Sequence, residues 1–261
     1  MAVHDSLGLK VFARAFRGLE GSYALIGGMA CTVLMRQAEL DFRATEDFDT
    51  VLLADGDLQA VSTAVWRLVE DGGYSIRRSS DGAPIFYRFD KPQHAGYPKM
   101  IELFSKVPDF LKEHERAIKA PVFAGDEVSS LSAILLDEDY YEFLLSGIIP
   151  VHLDDSTDRV SVLEADRLIA FKAKAFLDLS ERQRAGETVD KKNIRKHKND
   201  VFRLAQLVVP GTRLLAPSSI AADVGSFLEA TRDEEIDLKA LLGIRISAEE
   251  VLASIADMYG L

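Results

Sequence analysis

Two aspartates one residue apart open an apolar run in RATEDFDTVLL, residues 43–53. In a strand, residues two apart point to the same face, so Asp47 and Asp49 would project together. Two ionised carboxylates side by side repel each other and resist burial unless a positive charge lies between them. Mg²⁺ takes oxygen ligands of this kind, usually with phosphate oxygens of a substrate. The pair predicts a metal site, and the alternative is an exposed strand end with solvated acids.

A glycine pair precedes these acids in YALIGG, where a short apolar strand leads into the unbroken helical pattern MACTVLMRQAEL. Glycine lets backbone N–H groups approach an anion, and a helix N-terminus favours negative charge. Gly27 and Gly28 therefore read as a phosphate cradle, although such turns are common. A cradle followed by a carboxylate pair is the combination needed to hold a nucleoside triphosphate with its metal.

A third acid, Glu102, interrupts the apolar strand KMIELFS. Ile101 and Leu103 flank it and would face the core, which places Glu102 on the opposite face. Three acids would complete a two-metal site, in which one ion activates the attacking oxygen and the other holds the triphosphate and the leaving group. An ordinary half-exposed strand explains the same alternation.

The elements that must position these residues follow from the hydrophobic pattern. Residues 5–20 predict an amphipathic helix, FDTVLLA predicts a strand, and DLQAVSTAVWRLVEDGG predicts a helix. APIFYRF, KMIELFS, LSAILL, YEFLLSG and RVSVL predict further strands, with the acids of LDEDYYEF solvated at a hairpin turn. From Glu164 onward the pattern is helical.

Composition narrows the class of protein. The chain has 261 residues, 48% of them hydrophobic, and a net charge of −11, which argues against a protein that coats nucleic acid. The single Cys31 fits a reducing compartment, and no apolar run is long enough to span a bilayer, so we expect a cytoplasmic protein without a membrane partner. The spacing of the histidines and of the single cysteine gives no zinc-site signature. No serine or cysteine lies in the context of a hydrolase nucleophile, and the chain has no P-loop motif.

One segment, residues 181–200, concentrates seven Lys or Arg in this acidic chain. It reads either as a solvated loop between two helices or as a contact to phosphate or RNA.

Four stretches in this order resemble the nucleotidyltransferase-fold superfamily related to DNA polymerase β, and in particular its AbiEii-like toxin branch. They are LIGGMA at 25–30, RATEDFD at 43–49, EADRLIAFKAKA at 164–175 and KNDVFRLAQL at 198–207. The resemblance implies an enzyme that uses Mg²⁺ (or Mn²⁺) to move a nucleotide from an NTP onto a hydroxyl acceptor. It also implies the toxin component of a toxin–antitoxin pair.

The resemblance assigns roles to particular residues. Asp47, Asp49 and Glu102 would bind the metal ions, and Glu102 would also activate the acceptor oxygen. Lys172 would contact phosphate, and Asp200 would support or replace part of the acceptor site.

The nucleotide side of the site is assigned in the same way. Gly27 and Gly28 would receive the triphosphate. Arg43 and Thr45 would hold the approach to the acid strand, because a guanidinium bridges carboxylate or phosphate oxygens and a hydroxyl fixes a turn. Simple loop capping is the alternative for these two.

Three departures from the family pattern bear on activity: Met29 where Ser or Thr is common, Glu102 where Asp is usual, and Arg203 where many members have an acid. They keep open a second function, a catalytically weakened protein that binds a nucleotide or a partner without turnover. A phosphohydrolase that uses water as the acceptor is a third.

We predict an α+β protein in which a nucleotidyltransferase-like mixed sheet with flanking helices, residues 1–163, is followed by a helical C-terminal domain, residues 164–261. The expected partners are an NTP, a tRNA or other RNA or a protein as acceptor, and a cognate antitoxin.

Overall fold

The computed structural model describes residues 3–79, 85–106, 122–123, 134–135, 137–153, 157–234, 236–244 and 246–261. The helices are α1 Val3–Ala15, α2 Gly27–Gln37, α3 Leu58–Gly72, α4 Glu138–Leu145, α5 Ala165–Arg184, α6 Lys191–Ala205, α7 Ser218–Thr231, α8 Leu238–Leu242 and α9 Ala248–Tyr259. The strands are β1 Tyr23–Leu25, β2 Asp47–Leu52, β3 Ser75–Ser79, β4 Ile85–Asp90, β5 Met100–Ser105, β6 Val122–Phe123, β7 Ile148–His152 and β8 Arg159–Leu163.

These strands form one sheet in the order β6-β3-β4-β5-β2-β1-β8-β7. The sheet is mixed: β2 runs parallel to β5 and antiparallel to β1, while β1 runs parallel to β8. Strand β2 therefore lies inside the sheet, between β5 and β1. The prediction of an α+β protein, with a mixed sheet, flanking helices and a helical C-terminal region, is confirmed.

The two faces of β2 differ in the way that its alternation predicts. Phe48 is buried on one face, where its ring lies 5.2 Å from that of Phe12 in α1. Its register partner in β5 is Ile101, which is also buried. Asp47 and Asp49 therefore project from the opposite face, because side chains alternate along a strand. Burial of Phe48 against α1 holds the two acids in their orientation.

The C-terminal helices pack mainly on one another and on α2. Helices α5 and α6 pack along each other and against α2, and the hydrophobic core runs without a break from α1 to α9. The segment 181–200 forms the end of α5 and more than half of α6, with a short connection between them, so most of it is helical. The predicted boundary at residues 163 and 164 falls between β8 and α5, and the division into two domains stays a prediction.

Two local predictions differ from the structure, and the structure does not test a third. YEFLLSG lies largely in α4 and is not a strand, because Asp137 caps the helix by accepting a hydrogen bond from the backbone N–H of Tyr140. The acids of LDEDYYEF therefore begin a helix, where its dipole favours them, and do not form a hairpin turn. LSAILL lies for the most part outside the described residues.

Three strands of the structure were not predicted, and one of them, β6, has only two residues. Strand β3 is polar, SIRRS, and gains its strand conformation by pairing with β4. Strand β7 contains Pro150, which a sheet tolerates here because β7 lies at the edge.

Within the described part of the chain, every helix is too short or too polar to cross a lipid bilayer.

Candidate functional site

The acids of β2 and β5 lie in register. Asp49 pairs with Glu102 across the parallel strands, so the two carboxylates share one face, and both are more than 90% buried. Their side chains are close enough for the charge of Glu102 to raise the pKa of Asp49. Asp47 lies one row away on the same face and is half-buried. The structure therefore brings together the three acids that the sequence singled out.

Glu102 has a second partner that the sequence did not reveal. Arg88 is its register partner in β4, and both Nε (2.7 Å) and Nη2 (2.5 Å) of Arg88 contact the same oxygen, Oε1 of Glu102. Asp49, Glu102 and Arg88 thus form a row across three adjacent strands. A guanidinium neutralises Glu102 in this arrangement, whereas among the described residues no cation forms an ion pair with Asp49.

The start of α2 lies directly against Asp49. Gly27 adopts a left-handed backbone with φ of 65°, and a Cβ built on it would overlap Oδ2 of Asp49 and lie 2.9 Å from Cγ. A Cβ on Gly28 would lie 2.6 Å from Oγ1 of Thr45 and 3.3 Å from Nη2 of Arg43. Both positions therefore require glycine, because side chains of the site occupy the space that a Cβ would fill.

This helix end has no side-chain cap and no acid in its first turn. The first backbone N–H groups of a helix lack intrahelical acceptors, and the helix dipole adds partial positive charge there. The start of α2 is therefore able to bind an anion such as a phosphate group.

Asp200 in α6 is the centre of a cluster of cations. Arg43 donates to it through two nitrogens, Nε to Oδ1 at 3.1 Å and Nη2 to Oδ2 at 2.8 Å. Nζ of Lys172 in α5 lies 3.2 Å from Oδ2, and Nη1 of Arg203 lies 3.5 Å from Oδ1. Burial alone would raise the pKa of Asp200, but Lys172 and Arg43 lower it to about 2. Asp200 is therefore ionised and saturated with partners.

Lys172 is fully buried and only partly satisfied. Its ion pair with Asp200 meets the distance but not the angles of a hydrogen bond, and no acceptor among the described residues takes a hydrogen bond from its ammonium group. Lys172 also acts electrostatically on Asp49. It therefore has N–H donors left for a further anionic acceptor close to Asp49.

Lys196 belongs to this cluster and was missed by the sequence reasoning. It precedes Asp200 by four residues and Arg203 by seven, so the three lie on one face of α6. Lys196 is half-buried and forms no ion pair with a carboxylate in the part of the chain that the structure describes. Burial and then the neighbouring cations Arg43 and Lys172 lower its pKa. The signal available in the sequence was its helical spacing from Asp200.

Burial and neighbouring carboxylates raise the pKa values of Asp47 and Asp49. Burial and then the neighbouring Glu102 raise the pKa of Asp49 to about 7. Burial, followed by the charge of Asp49, also raises the pKa of Asp47, while Lys196 opposes both shifts. A cation placed between the carboxylates would lower both pKa values.

Two carboxylates, those of Asp47 and Asp49, are better placed to bind a metal ion here than all three acids. Among the described residues, no group of three or more His, Cys, Asp or Glu side chains is arranged to hold a metal ion. Asp47 and Asp49 offer the oxygen ligands that Mg²⁺ accepts together with substrate phosphates and water. The third-ligand role of Glu102 stays a prediction, and it requires the Arg88 guanidinium to leave Oε1 or to share the carboxylate.

The residues predicted from the sequence gather around the start of β2, and their roles stay predictions. Met29 is buried, and Arg203 contacts Asp200 and lies 5.7 Å from the ring of Phe42. The nine predicted residues in this region are Gly27, Gly28, Arg43, Thr45, Asp47, Asp49, Glu102, Lys172 and Asp200.

No protein-family model and no curated protein matches the sequence. Among solved structures, the chain is similar to the crystal structure of an antigenic nucleotidyltransferase-like protein from Paracoccidioides brasiliensis. The two are 19% identical, with 95% of this chain and 96% of that chain covered, and the TM-score is 0.44. A similarity this distant gives no information about function. The chemistry of the site must be argued from its side chains.

Substitution Gly27→Ala should destabilise the site. Its methyl group would overlap the Asp49 carboxylate, and alanine at φ of 65° is strained. We expect a loss of about 1–3 kcal/mol in the free energy of unfolding from the strain alone, measured by urea denaturation. Gly225→Ala in α7 is the control, because its Cβ would lie in ordinary contact 3.7 Å from Leu261. Equal stability of wild type and Gly27→Ala would contradict the packing described.

Substitution Asp200→Asn should destabilise the protein in a pH-dependent way. Removing the charge leaves Arg43, Lys172 and Arg203 without their shared anion, which costs about 3–5 kcal/mol at neutral pH. The pKa of Asp200 is lowered from 3.8 to about 2, so its contribution is complete above about pH 4 and is lost as the pH falls toward 2.

Thermal unfolding across this pH range measures the effect. The difference between wild type and Asp200→Asn should narrow as the pH falls, whereas the exposed Asp233→Asn should match wild type throughout. A difference independent of pH would contradict the ionised state assigned to Asp200.

Proposed function

We propose that this protein is a metal-dependent nucleotidyltransferase that moves a nucleotide from an NTP onto a hydroxyl acceptor of RNA or protein. The observation that carries the proposal is the position of Asp49. Its buried carboxylate lies between the uncapped start of α2, the carboxylate of Glu102 and the charge of Lys172. Acids, helix start and cations meet at one place, as the binding of a metal-bound triphosphate requires.

The triphosphate would lie on the cation side of Asp49. Arg43, Lys172 and Lys196 provide positive charge there, and Asp200 offsets only part of it. The backbone N–H groups at Gly27 and Gly28 add donors at the helix start. Thr45, whose hydroxyl lies over Gly28, fixes the strand entry beside them.

Asp47 and Asp49 would hold Mg²⁺ (or Mn²⁺). A bound divalent ion would supply charge neutralisation for the triphosphate and for the oxygen that attacks it. The crowded carboxylates fit such an ion, because their raised pKa values mark an uncompensated pair. The chain itself positions the reactants and excludes water, since phosphoryl-transfer catalysis is largely orientation and charge stabilisation.

Glu102 would act on the acceptor hydroxyl. Asp200 would position other residues of the site. Glu102 lies beside Asp49, and its carboxylate can receive or orient the acceptor hydroxyl once Arg88 shares it. Asp200 is fully buried and contacted by three cations, so we assign it a positioning role through Arg43 and Lys172. This differs from a direct role at the acceptor.

The toxin role rests on the sequence resemblance, and we propose it with a cognate antitoxin as the protein partner. A nucleotidyltransferase that modifies RNA or protein of its host would arrest growth until an antitoxin blocks it.

A second candidate function is nucleotide or partner binding without turnover. The Arg88–Glu102 contact favours it, because a guanidinium on the third acid takes the place that a second metal ion would need. Binding of an NTP to the cation cluster would then have a structural or regulatory role.

Labelled-NTP transfer tests the proposal. Wild-type protein incubated with Mg²⁺, each α-labelled NTP, and bulk tRNA or protein should label an acceptor. Asp49→Asn should lower the rate by about a hundredfold or more, because it removes a charge needed in the transition state. Expression in bacteria should arrest growth, and the same substitution should relieve the arrest.

The control is Asp55→Asn, an exposed acid beyond β2, which should transfer label like wild type. Thermal stabilisation by NTP without transfer would favour the binding function. Release of phosphate or nucleotide without a labelled acceptor would indicate a phosphohydrolase.

Lys196 gives a separate prediction about the nucleotide. Lys196→Gln should raise the KM for NTP about tenfold while changing kcat less, because it removes a charge that binds the triphosphate in the ground state as well as in the transition state. Lys192→Gln, one turn earlier and exposed on α6, is the matched control and should leave KM unchanged. Equal KM values for both variants would remove Lys196 from the site.

A further inference from the structure

The guanidinium of Arg88 lies at the Glu102 end of the acid row. Arg88 in β4 is directly opposite Glu102 in the antiparallel pair of β4 and β5, and Glu102 is opposite Asp49 in the parallel pair of β5 and β2. Nε and Nη2 of Arg88 contact Oε1 of Glu102 at 2.7 and 2.5 Å. Opposite charges at directly paired positions of neighbouring strands attract each other. The register of the sheet therefore holds this cation against the third acid.

The ion pair between Arg88 and Glu102 is largely shielded from water. The side chain of Glu102 is 9% exposed and that of Arg88 is 22% exposed. An ion pair that water surrounds contributes little, but removing one partner of a buried pair leaves a charge without compensation. Arg88 therefore cannot leave Glu102 at low cost unless another cation replaces it.

A second divalent ion would compete with Arg88 for Glu102. In a two-metal site the ions lie about 3.5–4 Å apart, so the second ion needs carboxylate oxygens of its own beside those of the first. An ion bound between Asp49 and Glu102 would lie close to the guanidinium, and like charges repel strongly where water is scarce. Lys172 adds further positive charge at Asp49. The cations of the chain therefore disfavour a second metal ion.

The charges of the acid row balance with a single divalent ion. Asp47, Asp49 and Glu102 carry three negative charges when all are ionised, and one divalent ion together with the Arg88 guanidinium carries three positive charges. A second divalent ion would leave surplus positive charge in a largely buried place, which is unfavourable. The triphosphate has cations of its own at the Lys172 end of the site, so it does not need that surplus.

We infer that Arg88 is a positioning residue that takes the place of a second metal ion, so that the acid row binds one divalent ion, at Asp47 and Asp49. The inference rests on the proposed function and specifies how many metal ions its site holds. Both nitrogens of Arg88 contact Oε1, so they fix the orientation of the Glu102 carboxylate and leave Oε2 to receive the acceptor hydroxyl. Glu102 is thus oriented by the sheet before any substrate binds.

Mn²⁺ alone is the probe, added to the full chain and counted by electron paramagnetic resonance of the unbound ion. Ions bound elsewhere are subtracted with the Asp47→Asn/Asp49→Asn double variant. Wild type should bind about one Mn²⁺ in the site, and Arg88→Met should bind about two, because Glu102 then needs another cation. Arg88→Lys keeps the charge and should restore binding of about one. Arg159→Met, the same change at an exposed position of β8, is the matched control and should also bind about one.

Substitution Glu102→Gln makes the test independent of whether Arg88→Met folds. Glu102 is not a ligand of the single ion in this arrangement, so Glu102→Gln should still bind about one Mn²⁺. The double variant Arg88→Met/Glu102→Gln removes both partners of the ion pair and leaves no charge without compensation. It should return the count of Arg88→Met from about two to about one, because the carboxylate that held the additional ion is gone.

The outcomes separate this inference from the proposed function. A second Mn²⁺ on wild type, or loss of the ion in Glu102→Gln, overturns the inference and leaves the function standing. A folded Arg88→Met that binds no more Mn²⁺ than wild type also overturns it. Label transfer by wild type that carries a single Mn²⁺ supports both. A single Mn²⁺ without transfer upholds the inference and counts against the enzyme, whereas no Mn²⁺ binding by wild type overturns the metal dependence and the inference together.

Discussion

A buried carboxylate held by three cations ties the sheet to the C-terminal helices. Asp200 in α6 binds Arg43 from the segment that leads into β2, Lys172 from α5, and Arg203 from its own helix. Such a cluster is not more stabilising than an apolar core of the same size, but removing one member leaves buried charge without a partner. Its geometry is therefore strongly specified, and so is the position of the acid strand that Arg43 precedes.

The same cluster explains why the site is prepared for an anion. Three cations contact Asp200 and Lys196 lies near them, so positive charge remains on Lys172 and Lys196 close to Asp49. On the other side, Asp49 and Glu102 crowd together and would accept a cation. The region thus combines unsatisfied charge of both signs a short distance apart. A metal ion bound to phosphate would compensate both at once, which is the physical reason for proposing nucleotide chemistry at this site.

The sequence predicts those features of the site that depend on a single strand or helix. It does not reveal contacts between residues of different strands or helices. Alternation along β2 placed Asp47 and Asp49 on one face, and the glycine pair marked the start of α2. The register that sets Asp49 against Glu102, and Glu102 against Arg88, depends on strands brought together by the fold, so no local pattern could reveal the Arg88 contact. Lys196 was hidden in the same way, among basic residues whose shared helical face becomes significant only beside Asp200.

The order of the chain adds a consequence for biosynthesis. Arg43 and Asp200 are 157 residues apart. At ribosomal speeds of roughly 5–20 residues per second, the aspartate is made on the order of 10–30 s after the arginine. For most of that interval the nascent chain has its carboxylate strand but not yet Lys172, and until the end of the interval it lacks Asp200. A polypeptide interrupted before α6 would lack Asp200, so the cation cluster forms only after residue 200 has been made.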